Sequence, residues 1–354
     1  MRGVNFGGWF SQIDAIEEKD PITFPGFMEH LRTFLGADDF RRVESWGFDH
    51  VRLPVDWTNV FHEDGVKPRE DALALLDKAF DDAQAAGLQV ILDLHRCPGH
   101  DFESGLHREQ SFFTDPAMRK DCLKVWSVLA ERYGHRNGVL LELLNEPVAP
   151  SAEVWNAVKD DLAHEIRRFA PKATLVVGSN LWNNASQFEP LTPVDDDNIL
   201  YSVHVYNPVV FTHQKAPWIP SDLFKIERTY PGTYEIPEGD SRLPVERGLW
   251  NKGRLERLLD PVFRFREKHG VAVACNEFGV YMGGPDRESH LNWMRDIMDL
   301  FQSNQVGWSY WNYKNLDFGI ISRGESLYQD LPQYANPERL DSGLLEVLRS
   351  SGPF

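Results

Sequence analysis

Short apolar runs recur along the chain, each followed by a stretch in which apolar side chains return every three or four positions. The runs at 3–8, 50–55, 89–95, 139–145, 174–178, 199–206, 271–277 and 307–311 are too short for typical helices and read as strands buried on both faces. The stretches at 71–86, 116–133, 152–169, 255–269 and 288–304 carry the helical period, with shorter helices predicted at 38–46 and 342–349. Gly47, Gly87, Gly134 and Gly270 fall where four of these helices should stop, just before the next strand. Eight strands alternating with helices predict an α/β chain closed into one (β/α)₈ barrel, a single domain over 1–354. The rival, an open doubly wound sheet, would usually carry a glycine-rich phosphate loop after its first strand. Gly3, Gly7 and Gly8 lack that spacing. One stretch, 207–253, breaks the rhythm. It is an extended loop after strand six, rich in proline, aromatic residues and charge, and a loop that long predicts a wall of a binding site.

Composition narrows the partners. A net charge of −17 argues against nucleic acid. No apolar window reaches the length of a membrane span. Cys97, Cys122 and Cys275 are odd in number and at no metal-site spacing, which suits a reduced compartment. The opening residues lack the apolar core of a signal peptide, so a cytoplasmic location is expected, or secretion if a leader has been removed. A monomer is expected, with an oligomer left open.

The chemistry gathers at the ends of the strands. Arg52 lies in the second, His95 ends the third, and Asn145 and Glu146 end the fourth. His204 and Tyr206 end the sixth, Glu277 the seventh and Trp311 the eighth. In an α/β barrel all of these face one mouth, where such enzymes keep their active sites. Pro147 cannot continue a ladder, which fixes the end of the fourth strand near Glu146. Two glutamates so placed suit hydrolysis of a glycosidic bond, which needs one carboxyl to protonate the leaving oxygen and one to attack the anomeric carbon. With Glu277 as the attacking group, Arg52 and Tyr206 are the candidates to keep it ionised. Asn145 could bond a sugar 2-hydroxyl, Trp311 could floor a sugar ring, and His95 and His204 could bond hydroxyls. Trp57, Glu103, His107, Phe112, Phe113, Trp182 and Tyr281 are candidates for further sugar sites, aromatic faces being suited to pyranose rings. Asp56, Trp9 and Trp250 share that expectation, whereas Trp46, Trp126 and Trp293 are expected in the core. No metal-ligand spacing is evident, and neither metal nor cofactor is expected.

The motifs Val51-Arg52-Leu53-Pro54, Leu94-His95, Leu144-Asn145-Glu146-Pro147, His204-Val205-Tyr206, Asn276-Glu277-Phe278-Gly279 and Trp308-Ser309-Tyr310-Trp311 together resemble glycoside hydrolase family 5, the cellulase A family. The resemblance implies a retaining β-glycosidase without cofactors, with Glu146 as acid/base and Glu277 as nucleophile about 5 Å apart. Its substrate would be a β-linked oligosaccharide or glucan. Residues 2–9, 30–34 with 38–40, and 95–102 resemble the exo-acting β-1,3-glucanase branch, so exo cleavage of β-1,3 bonds is the first expectation. An endo-β-1,4-glucanase or a β-mannan-cleaving enzyme of the same family is the alternative. Other classes are a barrel that binds carbohydrate without cleaving it and a metal-dependent amidohydrolase. A transglycosylase would share the same intermediate.

Overall fold

A computed structural model describes residues 1–13, 26–64, 66–101, 111–236, 246–322, 340–350 and 352. Eight parallel strands close into a barrel: β1 (Arg2–Asn5), β2 (His50–Asp56), β3 (Gln89–Arg96), β4 (Val139–Glu142), β5 (Thr174–Gly178), β6 (Ile199–Val205), β7 (Ala272–Phe278) and β8 (Gly307–Tyr310). Each pairs with its neighbour in sequence, and β8 closes on β1. Around them lie α1 (Ala37–Ser45), α2 (Glu70–Ala85), α3 (Pro116–Tyr133), α4 (Ala152–Arg167), α5 (Lys252–His269), α6 (Arg287–Ser303) and α7 (Ser342–Ser350). After β5 only a short turn, Asn180–Asn183, and a 3₁₀ helix, Ala185–Phe188, fill the place of a long helix.

The predicted periods explain the packing. In α3 the buried side chains are Cys122, Val125, Trp126, Leu129, Ala130 and Tyr133, one stripe at helical spacing facing the strands. Trp126 anchors that stripe by donating its indole N–H to the Leu143 carbonyl, 2.9 Å away. Trp46 and Trp293 are likewise buried in the core. Inside the barrel alternate residues of each strand point to the axis. Ile91, Leu140, Val176, Leu200 and Ala274 form an apolar plug at the amino end, with Met1 against it.

All four glycines stand at helix ends as expected: Gly47, Gly87 and Gly270 sit at positive φ (82°, 75° and 65°), and Gly134, at φ −67°, ends α3. Gly134 is needed for room, since a Cβ there would lie 2.3 Å from the Ala170 Cβ. The 207–253 loop is not irregular throughout. It holds a helical turn, Val209–Thr212, a 3₁₀ turn, Asp222–Lys225, and a hairpin pairing Gly232–Tyr234 with Gly248–Trp250.

Candidate active site

The carboxyl end of the barrel collects the predicted residues. Arg52 points inward from β2, fully buried, and spends its guanidinium on several acceptors at once. Its Nε donates to Glu142 Oε2 (2.7 Å), Nη1 to Asn5 Oδ1 (2.9 Å) and Glu277 Oε1 (2.6 Å), and Nη2 to Glu142 Oε1 (3.1 Å) and Asn145 Oδ1 (2.8 Å). Tyr206 donates its hydroxyl to Glu277 Oε2 at 3.1 Å. His204 Nδ1 lies 2.9 Å from Glu146 Oε1 and 3.6 Å from Glu277 Oε2. Glu146, His204 and Glu277 thus converge, with one atom of each lying within 4.8 Å of the others.

Local backbone departures aim these side chains. The ladder between β6 and β7 shifts register between Cys275 and Glu277, a bulge that turns consecutive residues inward together. Asn276 Nδ2 reaches Glu142 Oε2 at 2.9 Å while Glu277 meets Arg52. β4 ends at Glu142, earlier than predicted, and Glu146 has a φ of 45° in the left-handed region that non-glycine residues seldom occupy. His100 holds this turn by bonding the Asn145 carbonyl at 2.9 Å. The ring of Trp311 stacks on His95, 5.7 Å between centroids and 4° from parallel. Gly7 makes room for that indole, because a Cβ there would come within 2.7 Å of it.

Electrostatics follow from one cation among many acids. Burial, aided by repulsion from Glu146, pushes Glu277 up to about 7 against the pull of Arg52. Burial also raises Glu142, against the opposing charge of Arg52. His204 is lowered to about 4 by burial and is neutral at ordinary pH. Tyr206 is raised by burial and by Glu277, so it keeps its proton as a donor. His204 Nε2 and Asn145 Nδ2 are buried and meet no hydrogen-bond partner among the described residues, as groups facing a hydroxylated ligand would. The trio of Glu146, His204 and Glu277 is also the one grouping of acidic and imidazole donors, among the described residues, spaced to hold an ion. Hydrogen bonds from Arg52 and Tyr206 already engage Glu277 there.

The chain matches the model of the cellulase family, glycosyl hydrolase family 5, over residues 16–317. It belongs to that family. Family members similar to it include endoglucanase C of Acetivibrio thermocellus, 34% identical over 332 residues, covering 90% of this chain and 93% of the relative. Cellodextrinase A of Ruminococcus flavefaciens is 31% identical over 309 residues, covering 86% and 83%. In fold, the crystal structure of the endoglucanase Cel5A from Thermotoga maritima matches with a TM-score of 0.74 at 23% identity, covering 98% of this chain and 96% of that one. As a family 5 member the chain is a β-glycoside hydrolase.

The outer sugar candidates divide. Phe112 and Phe113 are buried core residues packed edge-on at 5.1 Å and wedged against His100, so they offer no face to a sugar. Tyr281 is also buried, under Trp218 at 5.1 Å. Trp9 and Trp250 are buried with their N–H groups on the Leu31 and Glu246 carbonyls. Asp56 is buried and taken up by Arg96 Nη1 and the Gln12 N–H. Trp57 packs half-buried on the core. Trp182 is 38% exposed, and its backbone N–H bonds the Pro147 carbonyl beside Glu146. Glu103 and His107 lie outside the described residues. Sequence reasoning missed Asn5, Asp93, Glu142 and Asn276. Asp93 precedes His95 and Glu142 follows Leu140 by two positions, so period-two spacing from inward residues was the available signal.

Proposed function

We propose that the chain hydrolyses β-1,4-glucosidic bonds of glucans or cello-oligosaccharides with net retention, Glu146 acting as general acid and then base and Glu277 as nucleophile. The observation that carries this reading is the spacing of the two carboxyl groups, with oxygens within 4.8 Å of each other. That distance suits direct attack on the anomeric carbon and leaves too little room for the water an inverting enzyme needs between them. Glu277 Oε2 attacks the anomeric carbon while Glu146 gives its proton to the departing oxygen. A glycosyl ester forms on Glu277, and Glu146, now a carboxylate, takes a proton from the water that cleaves it. Arg52 and Tyr206 support charge on Glu277 before attack and after release. Asn145 Nδ2 lies where a sugar hydroxyl could accept its hydrogen bond.

The β-1,4 preference is supported by the relatives named endoglucanase and cellodextrinase, which weigh against the exo-β-1,3 specificity expected from residues 2–9, 30–34 with 38–40, and 95–102. Against a non-catalytic carbohydrate-binding barrel stands the convergence of both glutamates with a shared histidine. The test is digestion of cello-, laminari- and manno-oligosaccharides with product sizes resolved. Shorter cello-oligosaccharides, first released as the β-anomer, are expected. Release of glucose alone, and only from laminari-oligosaccharides, would restore the exo-β-1,3 assignment.

A further inference from the structure

At the carboxyl end of the barrel three acids, Asp93, Glu142 and Glu277, surround the guanidinium of Arg52. A guanidinium has five hydrogens to give. Here Glu142 takes two, Glu277 one, Asn145 one and Asn5 one. None is left for Asp93, although its Oδ2 lies 3.0 Å from Arg52 Nη2. Glu142 gains a further donor in Asn276, and Glu277 one in Tyr206. Besides that ion-pair contact Asp93 Oδ2 meets His95 Nδ1, at 2.7 Å, and its Oδ1 is buried with no partner among the described residues. Asp93 and Glu142 are also register partners on β3 and β4, facing one another on the inner surface where like charges repel. An ionised Asp93 would bury an anionic oxygen that no protein donor meets, at a heavy penalty.

We propose that Asp93 is a positioning residue that holds the proton shared by this acid cluster and donates it to His95 Nδ1, so that the imidazole presents Nε2–H toward the sugar and Glu277 is left ionised. The groups facing Asp93 are Arg52 from β2, His95 from β3, Glu142 from β4, and Glu146 and Glu277 across the mouth. Burial lifts Asp93 to about 7, level with Glu277, so the carboxyl with fewer donors takes the proton first. His95 is held neutral by burial, aided by the charge of Arg52, so its ring carries one hydrogen and the partner of Nδ1 decides where. The consequence reaches the sugar platform through the stack of His95 on Trp311.

The kinetic half of this inference rests on Glu277 as nucleophile, but the tautomer does not. Two measurements on the full chain therefore test it. In ¹⁵N NMR of histidine-labelled protein, with His95→Gln assigning the signal, a neutral ring protonated on Nε2 is expected. A ring protonated on Nδ1 overturns the proposal, whatever Glu277 does. Asp93→Asn copies a neutral, donating Asp93. The variant should keep the acid limb of kcat/KM at the native pH. An ionised Asp93 would instead have been raising Glu277, so removing its charge would move that limb down by about one unit or more. Such a shift, with the fold intact by circular dichroism, also overturns the proposal. Should Asp93→Asn fail to fold, the NMR measurement on the native protein decides.

Discussion

The two ends of the barrel interior are built from the same eight strands and the same alternation, yet they obey opposite rules. At the amino end Ile91, Leu140, Val176, Leu200 and Ala274 fill the axis with hydrocarbon. Two positions further along the same strands stand Asp93, Glu142 and Ser202, and beyond them His95 and His204. Between the regimes His50 links Asp49 to Ser309 through two hydrogen bonds of 2.7 Å. The amino end is held by area removed from water, which is indifferent to direction. The carboxyl end is held by hydrogen bonds, and each acid there is stable only while its donors stay in place. The plug is thus free to serve stability alone, while the mouth sacrifices some stability to keep charge where chemistry uses it.

Replacement of a charge at the mouth should separate the two ends most sharply. Glu277→Gln is expected to lower kcat on the order of 10⁴-fold or more, the scale of losing a covalent nucleophile, with the fold unchanged. Steady-state assay of an aryl glycoside with a good leaving group checks this, and turnover near the native rate would remove Glu277 from that role. Glu146→Gln should spare the first step on such a substrate and slow breakdown of the intermediate, seen as a burst followed by a slow steady state.

Truncation in the plug should do the reverse. Ile91→Ala opens a cavity in a fully buried apolar layer and is expected to lower unfolding free energy by roughly 2–5 kcal/mol. Its kcat and KM below the unfolding range should stay native. Denaturant titration alongside kinetics reads both. A large fall in kcat with little loss of stability would mean that the plug and the mouth are mechanically joined.

The same contrast explains what could be read from sequence. The apolar layer and the helix stripes follow period alone, so strands, helices and barrel closure were legible from the pattern. The eight residues at the mouth were legible because polar side chains at the ends of apolar runs stand out. Asp93 and Glu142 were not, because a single charge inside a strand reads as an exception until the closed barrel shows that both point at Arg52. Phe112 and Phe113 were misjudged for the opposite reason, since an aromatic residue in a loop looks equally suited to sugar or core until its burial is known. The left-handed turn at Glu146 and the bulge at Cys275 are set by contacts distant in sequence, such as His100 on the Asn145 carbonyl.

The finest division at the mouth is between the two donors on Glu277, and Tyr206→Phe isolates one of them. The phenol donates to Oε2 and Arg52 to Oε1, so the variant leaves the ion pair and removes one neutral donor. A hydrogen bond to a charged group contributes about 1.5–3 kcal/mol, which sets the expected fall in kcat/KM at roughly 10- to 150-fold. The sign of the pH effect follows from which form the phenol favours. It stabilises the carboxylate, so its loss raises Glu277 further, and the acid limb of kcat/KM moves to higher pH. A substituted phenyl ring keeps the edge contacts of Tyr206 with His213 and Phe318, at 5.2 and 5.9 Å, so packing is retained. An unmoved acid limb would assign the whole control of Glu277 to Arg52 and the acids that share it.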